Sequence, residues 1–294
     1  KFKKKIVMNI YKKIWDEKLR KLGMPEIYSG FTQIEFNEFK KQIDNESEIF
    51  ANNIIEDLVN GKVILIKSAF SEDFVKNLKN NVKNFWKKNP DTFYKMLEGC
   101  PDFHRIITPE KAKNYSVSAV KHSTYFFPWN DDPCNINEVI FNRWGYIKKL
   151  CGLKFDEFYN NTPKDIKVDR IQIAVYPPGF GELETHTDPV NTTPVAVSGY
   201  LSSLKSGDFS SGGFYCVNNQ GKKINLEDQI DVGDIGFFCA TVKHGVTAID
   251  GKMSPEEYKK YDWSQGKGRW FMGLYTNDSD EIKNRTTSIS YKNN

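Results

Sequence analysis

Four histidines are spread through the 294 residues, and two of them sit where a metal could use them. His186 and Asp188, in the stretch YPPGFGELETHTDPV, are separated by one residue. On an extended strand that spacing turns both side chains to one face, where they can take neighbouring coordination positions. Taken alone, an H-x-D pair is as readily a polar patch at a strand end. His244 follows a turn and the apolar run IGFFCA in DVGDIGFFCATVKHGVTAIDG, and stands at the start of the next strand. One polar residue emerging from apolar flanks is a mount for a metal ligand, or else a hydrogen-bonded core histidine. Two imidazoles and one carboxylate on one face of a metal, with the other positions open, suit non-haem Fe(II) and dioxygen chemistry. Zinc hydrolysis uses similar donors, so the triad alone leaves the metal open.

Arg269, in GKGRWFMGLYT, is a charged residue leading an otherwise apolar run. An unpaired buried guanidinium is costly, and its planar fork fits a carboxylate through two parallel hydrogen bonds. A dicarboxylate cosubstrate, with one end on a metal and the other on Arg269, meets that need. A surface salt bridge is the plain alternative.

The elements that must carry these residues change character along the chain. MNIYKKIWDEKLRKLG has apolar residues at helical spacing and ends on Gly23; FNEFKKQIDNESEIFANNIIEDLVNG continues in that style to Gly61. KVILIKSAF reads as a β-run, Ser71 as the N-cap of SEDFVKNLKNNVKNFWKK, and NEVIFNRWGYIKKLCG as a further helix. From about residue 167, short apolar runs alternate with Gly, Asn, Asp and Ser: VDRIQIAVY, TPVAVSGYLSS, GGFYCVNN, DIGFFCATVKHGV and RWFMGLYT. Helices followed by strands, with no βαβ rhythm, predict an α+β fold in which a sandwich or barrel carries helices on its outside. We expect a single domain over residues 1–294, mainly helical with an opening strand over 1–166 and β-rich over 167–294.

The order H-x-D, GGFY, VGDIGFF, His, Arg resembles the Fe(II)/2-oxoglutarate-dependent dioxygenase superfamily, in a prolyl-hydroxylase-like or phytanoyl-CoA-dioxygenase-like form. The likeness runs over roughly residues 167–277, and NGKVILIKSAFSEDFVKNL is similar to the opening strand and helix of such enzymes. The resemblance implies a double-stranded β-helix (jelly roll, cupin-like) core. It implies that His186, Asp188 and His244 bind Fe(II) and act in catalysis, and that Arg269 binds the distal carboxylate of 2-oxoglutarate. It further implies that Tyr176, in YPPGFG, and Tyr200, in SGYLSS, donate phenolic hydrogen bonds to that cosubstrate. Two features depart from the pattern. Relatives place the arginine sooner after the second histidine, whereas 25 residues separate His244 from Arg269 here, with a polar, lysine-rich inserted loop between them. Phe271 also stands where relatives carry a serine, which leaves Tyr200 as the candidate second anchor.

The activity so implied is oxidation of an unactivated C–H by dioxygen, with succinate and carbon dioxide as coproducts, as hydroxylation, desaturation or ring closure. Substrate contacts are expected from HSTYFFPWNDD, read as a loop carrying His122, Tyr125 and Trp129. PDFHRIIT, with His104 and Arg105, is a candidate anion site, and Asn191 and Thr193 are expected on the rim. The net charge of +4 is mild and scattered, and the run KFKKK at residues 1–5 reads as a solvated end, so no nucleic-acid partner is expected. The five cysteines lack paired or metal-ligand spacing, which favours a reduced, cytoplasmic setting. No stretch approaches the about 20 apolar residues that span a bilayer, and lysines interrupt any signal-like segment. A small molecule is the expected substrate. The alternatives are prolyl-hydroxylase-like modification of a protein side chain, and a cupin-type metal enzyme or binding module that does not use 2-oxoglutarate. Oligomeric state is left open.

Overall fold

The computed structural model describes residues 9–190 and 192–291; the basic run at residues 1–5 and Asn191 lie outside them. Helix α1 (Ile10–Leu22) begins where the Asn9 side chain accepts the Tyr11 N–H at 2.9 Å, and it buries Tyr11, Ile14 and Trp15 at helical spacing. β1 (Gly30–Glu35) follows. The helical run expected after residue 36 is in fact two helices, α2 (Phe36–Asp44) and α3 (Glu48–Val59). Glu46 breaks it with φ +48°, and the Ser47 hydroxyl caps the second helix. β2 (Lys62–Lys67) then leads to α4 (Glu72–Lys88), where the Ser71 hydroxyl accepts the Phe74 N–H at 3.2 Å, as the N-cap reading requires. β3 (Phe103–Ile107), α5 (Pro109–Ala112), β4 (Ala119–Phe126) and α6 (Asn137–Leu150) complete this half.

The first 166 residues therefore hold four strands, not one. β4 corrects the loop assigned to HSTYFFPWNDD. Its sequence lacks an apolar/polar alternation because both of its faces are covered, one by a helix and the other by a cavity that accepts polar side chains.

The second half is all but strand: β5 (Lys167–Tyr176), β6 (Glu182–Thr187), β7 (Val195–Tyr200), β8 (Gly213–Val217), β9 (Lys223–Asn225), β10 (Ile235–Cys239) and β11 (His244–Thr247). A short helix, α7 (Pro255–Lys259), precedes β12 (Arg269–Asp278) and β13 (Ile289–Ser290). Hydrogen bonding orders one sheet as β1-β2-β10-β7-β12-β5-β4, with β3 on β4, and another as β6-β11-β8-β9, with β13 on β6; the start of β4 also pairs with β6 (Ala119 opposite Leu183), so the two run on into one curled sheet. From β5 to β12 the chain crosses from one sheet to the other and back, placing β5, β7, β10 and β12 in the first and β6, β8, β11 in the second. That crossing pattern is a jelly roll. β2 extends it on one edge, antiparallel to β10, and β4 on the other, antiparallel to β5.

Period-two alternation divides the large sheet between two environments. Ile171, Ile173 and Val175 of β5 and Trp270 and Met272 of β12 join the helices in one apolar core. The Trp86 ring of α4 stacks on Trp270 at 5.5 Å, and Phe39 of α2 meets Phe237 of β10 at 6.0 Å. The intervening residues Arg170, Gln172, Tyr176, Arg269, Phe271 and Tyr275 face the other way, into a cavity between the sheets.

Candidate metal centre and its cavity

β6 and β11 run antiparallel with His186 and His244 directly opposite. The register alone thus brings together two imidazoles 58 residues apart in the chain, with ring centroids 4.2 Å apart. Asp188 lies just past the end of β6, and its N–H donates to Ala240 O at 2.8 Å, which holds the extended direction for the carboxylate. His186 Nε2 is 3.6 Å from Asp188 Oδ1, and His244 Nε2 is 3.6 Å from Oδ2. One donor atom from each of the three residues fits within 4.8 Å of the others.

Backbone carbonyls orient both rings. His186 Nδ1 donates to Glu184 O at 3.0 Å and His244 Nδ1 to Val242 O at 2.9 Å. With Nδ1–H so engaged, each neutral ring turns the Nε2 lone pair towards Asp188, the tautomer a metal ligand needs. Burial, reinforced by neighbouring His186, pushes the His244 pKa down to about 4, which keeps that ring neutral. Burial opposes the charged form of Asp188, and a hydrogen bond from Ser288 Oγ at 2.8 Å to its Oδ1 offsets part of that cost. Ser288 immediately precedes β13, which returns to pair with β6 (Ser290 opposite His186) and so closes over the cluster.

Arg269 opens β12 opposite Tyr176 and is 1% exposed. Its Nε donates to Glu227 Oε1 at 2.5 Å, and the same oxygen accepts the Phe214 N–H at 2.6 Å. Gly213 makes that approach possible: it adopts φ +104°, and a Cβ there would lie 2.4 Å from Glu227 Oε1. Three buried polar atoms here lack a protein partner: Arg269 Nη1, Tyr200 Oη and Glu227 Oε2. Burial raises the Tyr200 pKa well above its ordinary value, so its hydroxyl remains a donor. The guanidinium carbon lies 6.0 Å from the Tyr176 ring centre and 5.9 Å from that of Tyr200. Arg269 Nη1, an unmet donor on a residue that lines the cavity between the sheets, fits the carboxylate of a diacid.

The cavity has a volume of about 310 Å³ and takes in the cluster, Arg269 and Tyr176. Tyr125, Arg105 and Thr193 also line it, the Thr193 hydroxyl donating to Val195 O at 3.0 Å. Tyr200, expected to bind the cosubstrate, is not among its lining residues. Two expected substrate contacts are corrected. His122 is 3% exposed on the opposite face of β4 from Lys121 and stacks on Trp86 at 3.9 Å, one position out of phase with the cavity. Trp129 stacks on Phe127 at 4.5 Å and donates Nε1–H to Cys100 O at 2.9 Å, beyond the end of β4. His104 joins His122 through a 2.9 Å Nδ1–Nε2 contact and is likewise core. The stretch between His244 and Arg269 is ordered: Tyr258, Tyr261 and Trp263 pack on Phe180. Sequence reasoning missed Lys121, Arg170, Glu227 and Ser288. Only Arg170, a cation inside the apolar run VDRIQIAVY, carried the signal that singled out Arg269.

No family model matches the sequence, and no curated protein matches it. Solved structures that resemble it include a Pseudomonas putida prolyl-4-hydroxylase at 13% identity and TM-score 0.45, covering 77% of this chain and 97% of that one. A full-length Neurospora crassa protein in complex with alpha-KG and 5-formyluracil gives 12% identity and TM-score 0.49, with 85% of each chain covered. A Trichoplax adhaerens prolyl hydroxylase in complex with a hypoxia inducible factor peptide fragment gives 13% and 0.45, covering 82% of this chain and 92% of that one. At this level of identity and superposition, assignment is left to the strand order and side-chain geometry of the chain itself.

Proposed function

We propose that the protein is an Fe(II)- and 2-oxoglutarate-dependent oxygenase acting on a small molecule, with the described chain working as one catalytic domain. The observation that carries the reading is the convergence of His186, Asp188 and His244, with both Nε2 atoms aimed at one point by backbone carbonyls. Two neutral nitrogens and one carboxylate on a single side suit ferrous iron and leave its remaining positions to other ligands. Bound there together, ferrous iron and 2-oxoglutarate supply the oxidation of an unactivated C–H by dioxygen, with succinate and carbon dioxide as coproducts.

The protein's own groups account for the rest. Ser288 and the two carbonyls fix the ligands; Arg269 Nη1 offers a donor for a distal carboxylate; Tyr176 and Phe271 wall that end of the cavity. The cavity volume of about 310 Å³ is at the lower end of the range for small-molecule sites and favours such a substrate over a folded protein surface.

The second reading is a jelly-roll metal enzyme that does not use 2-oxoglutarate. It is favoured by Glu227, which already neutralises Arg269 without any cosubstrate. One experiment separates the two. Fe(II) and 2-oxoglutarate are added anaerobically to the metal-free protein and the visible charge-transfer band of the chelate is recorded. The band is expected in the wild type and lost in His186→Ala, and admitting air with substrate should release succinate. Iron binding without a band rejects 2-oxoglutarate, and no iron binding rejects the metal centre.

A further inference from the structure

The formal charge of +4 for the whole chain conceals how its cations are placed. Arg105, Lys121, Arg170, Arg269 and Arg285 all line one cavity, and Asp188 is the only carboxylate among its described lining residues. Asp188 is committed to the two imidazoles and Ser288. Arg269 has Glu227, and Arg285 Nη1 pairs with Asp280. Among the described residues no carboxylate lies within ion-pair distance of Arg105, Lys121 or Arg170. Three cations thus line one partly desolvated space with no carboxylate at ion-pair distance, Asp188 acting on Arg170 and Lys121 only from farther away.

Their surroundings hold them there. The Arg170 guanidinium lies 5.2 Å from the ring centres of both Tyr125 and Tyr275, its Nε has neither solvent contact nor an acceptor, and its Nη2 reaches Gln172 Oε1 only at 3.5 Å. Arg105 lies over the Phe93 and Tyr115 rings at 4.6 and 5.0 Å. Burial and the nearby charge of Arg170 lower the Lys121 pKa to about 8, so the like charges are close enough to oppose one another. An anion between them relieves that repulsion and fills the unmet donors.

This anion is not the cosubstrate. Arg269 pairs with Tyr176 and Arg170 with Tyr275 in the β5–β12 register, so six residues of strand separate the two arginines. At the rise of an extended chain that is about 20 Å between backbones, and a five-carbon diacid with one carboxylate on Arg269 and the other on the metal has none left for Arg170. Lys121 has its Nζ 5.8 Å from the Tyr176 ring centre and is also near enough to feel the charges of Arg170 and Arg105.

We propose that the substrate bears an oxyanion, a carboxylate or a phosphate, held by Arg170 with Arg105 and Lys121 and so anchored beside the metal centre. The inference rests on the oxygenase reading for the word substrate, while the anion site is tested without iron. Metal-free protein is titrated calorimetrically with benzoate, phenyl phosphate and the neutral benzyl alcohol. We expect at least one anion to bind at least tenfold more tightly than the alcohol, the preferred one naming the group. Arg170→Gln should weaken that binding at least tenfold, and Arg105→Gln, nearer the surface, severalfold, while Arg170→Gln keeps the charge-transfer band with Fe(II) and 2-oxoglutarate. His186→Ala should lose the band and keep the anion. Equal affinity for the alcohol, or wild-type anion affinity in both arginine variants, overturns the proposal. A missing band with anion binding intact counts against the oxygenase reading alone.

Discussion

At the scale of single residues, the pair formed by Arg269 and Glu227 decides how the deep end of the cavity is built. A guanidinium 1% exposed on an inward strand needs a counter-charge, and that need was legible in the sequence from the apolar residues following Arg269. The partner was not. Glu227 is 42 residues earlier, in a one-turn helix after β9, where NLEDQ reads as an ordinary acidic turn, and only the fold brings it to Arg269 Nε at 2.5 Å. Removing one member of a buried pair leaves the other charged and unsolvated, which costs about 3–5 kcal/mol. Glu227→Ala should lower the unfolding free energy by that amount in urea titrations. Glu227→Gln, which keeps an acceptor for Arg269 Nε and Phe214 N–H, should lose less. If Glu227→Ala unfolds at the wild-type midpoint, Arg269 has another counter-charge and the donor left at Nη1 means less.

Elements matter because the metal ligands arrive by strand register. His186, Asp188 and His244 could be picked out from spacing, since two residues on one strand share a face whatever the fold around them. That His244 faces His186 depends on β11 lying against β6, and the two strands meet with a register irregularity between His244 and Val246. Gly245 sits in that irregularity, where an added Cβ would meet Leu183 O of β6 at 2.7 Å and Tyr215 Oη of β8 at 2.5 Å. Leu183 O is backbone and cannot swing away, so a side chain there must push β11 off β6. Gly245→Ala is expected to weaken Fe(II) binding at least tenfold in anaerobic titration while the chain stays folded by circular dichroism. Unchanged iron affinity would mean that the strand spacing does not set the ligand geometry. β4 shows the opposite side of legibility. Its placement between helix and cavity erases the alternation that marks strands, so Lys121 gives no signal and His122 reads as a loop contact to substrate.

For the molecule as a whole, the jelly roll was legible because its strands are short apolar runs punctuated by turn residues, whereas the strands added at its edges were only partly so. β2 stood out as a continuous apolar run; β1 is half-exposed, and β3 and β4 carry His, Arg, Lys and Thr. Joining α4 to the edge strands places two histidines in the core. His104 Nε2 donates to Asn89 O at 2.8 Å, so its Nδ1 must accept from His122 Nε2, and both rings are neutral in that arrangement. Burial lowers the His122 pKa to about 3, against about 6.5 in an unfolded chain. Between those values the unfolded state binds the extra proton. The contribution to stability is therefore complete above about pH 6.5 and is lost as pH falls towards 3, at up to about 1.4 kcal/mol per pH unit. Asp91 opposes the shift, and Asp102, whose carboxyl burial raises to about 6, contributes with the opposite sign in part of this window. Both are common to wild type and His122→Gln, so the difference between the two proteins isolates the imidazole. Urea midpoints measured from pH 4 to 7 should fall more steeply for the wild type, the curves running parallel only above about pH 6.5. Parallel curves throughout would mean that His122 takes up its proton within the fold, and that the seam between α4 and β4 is open to water.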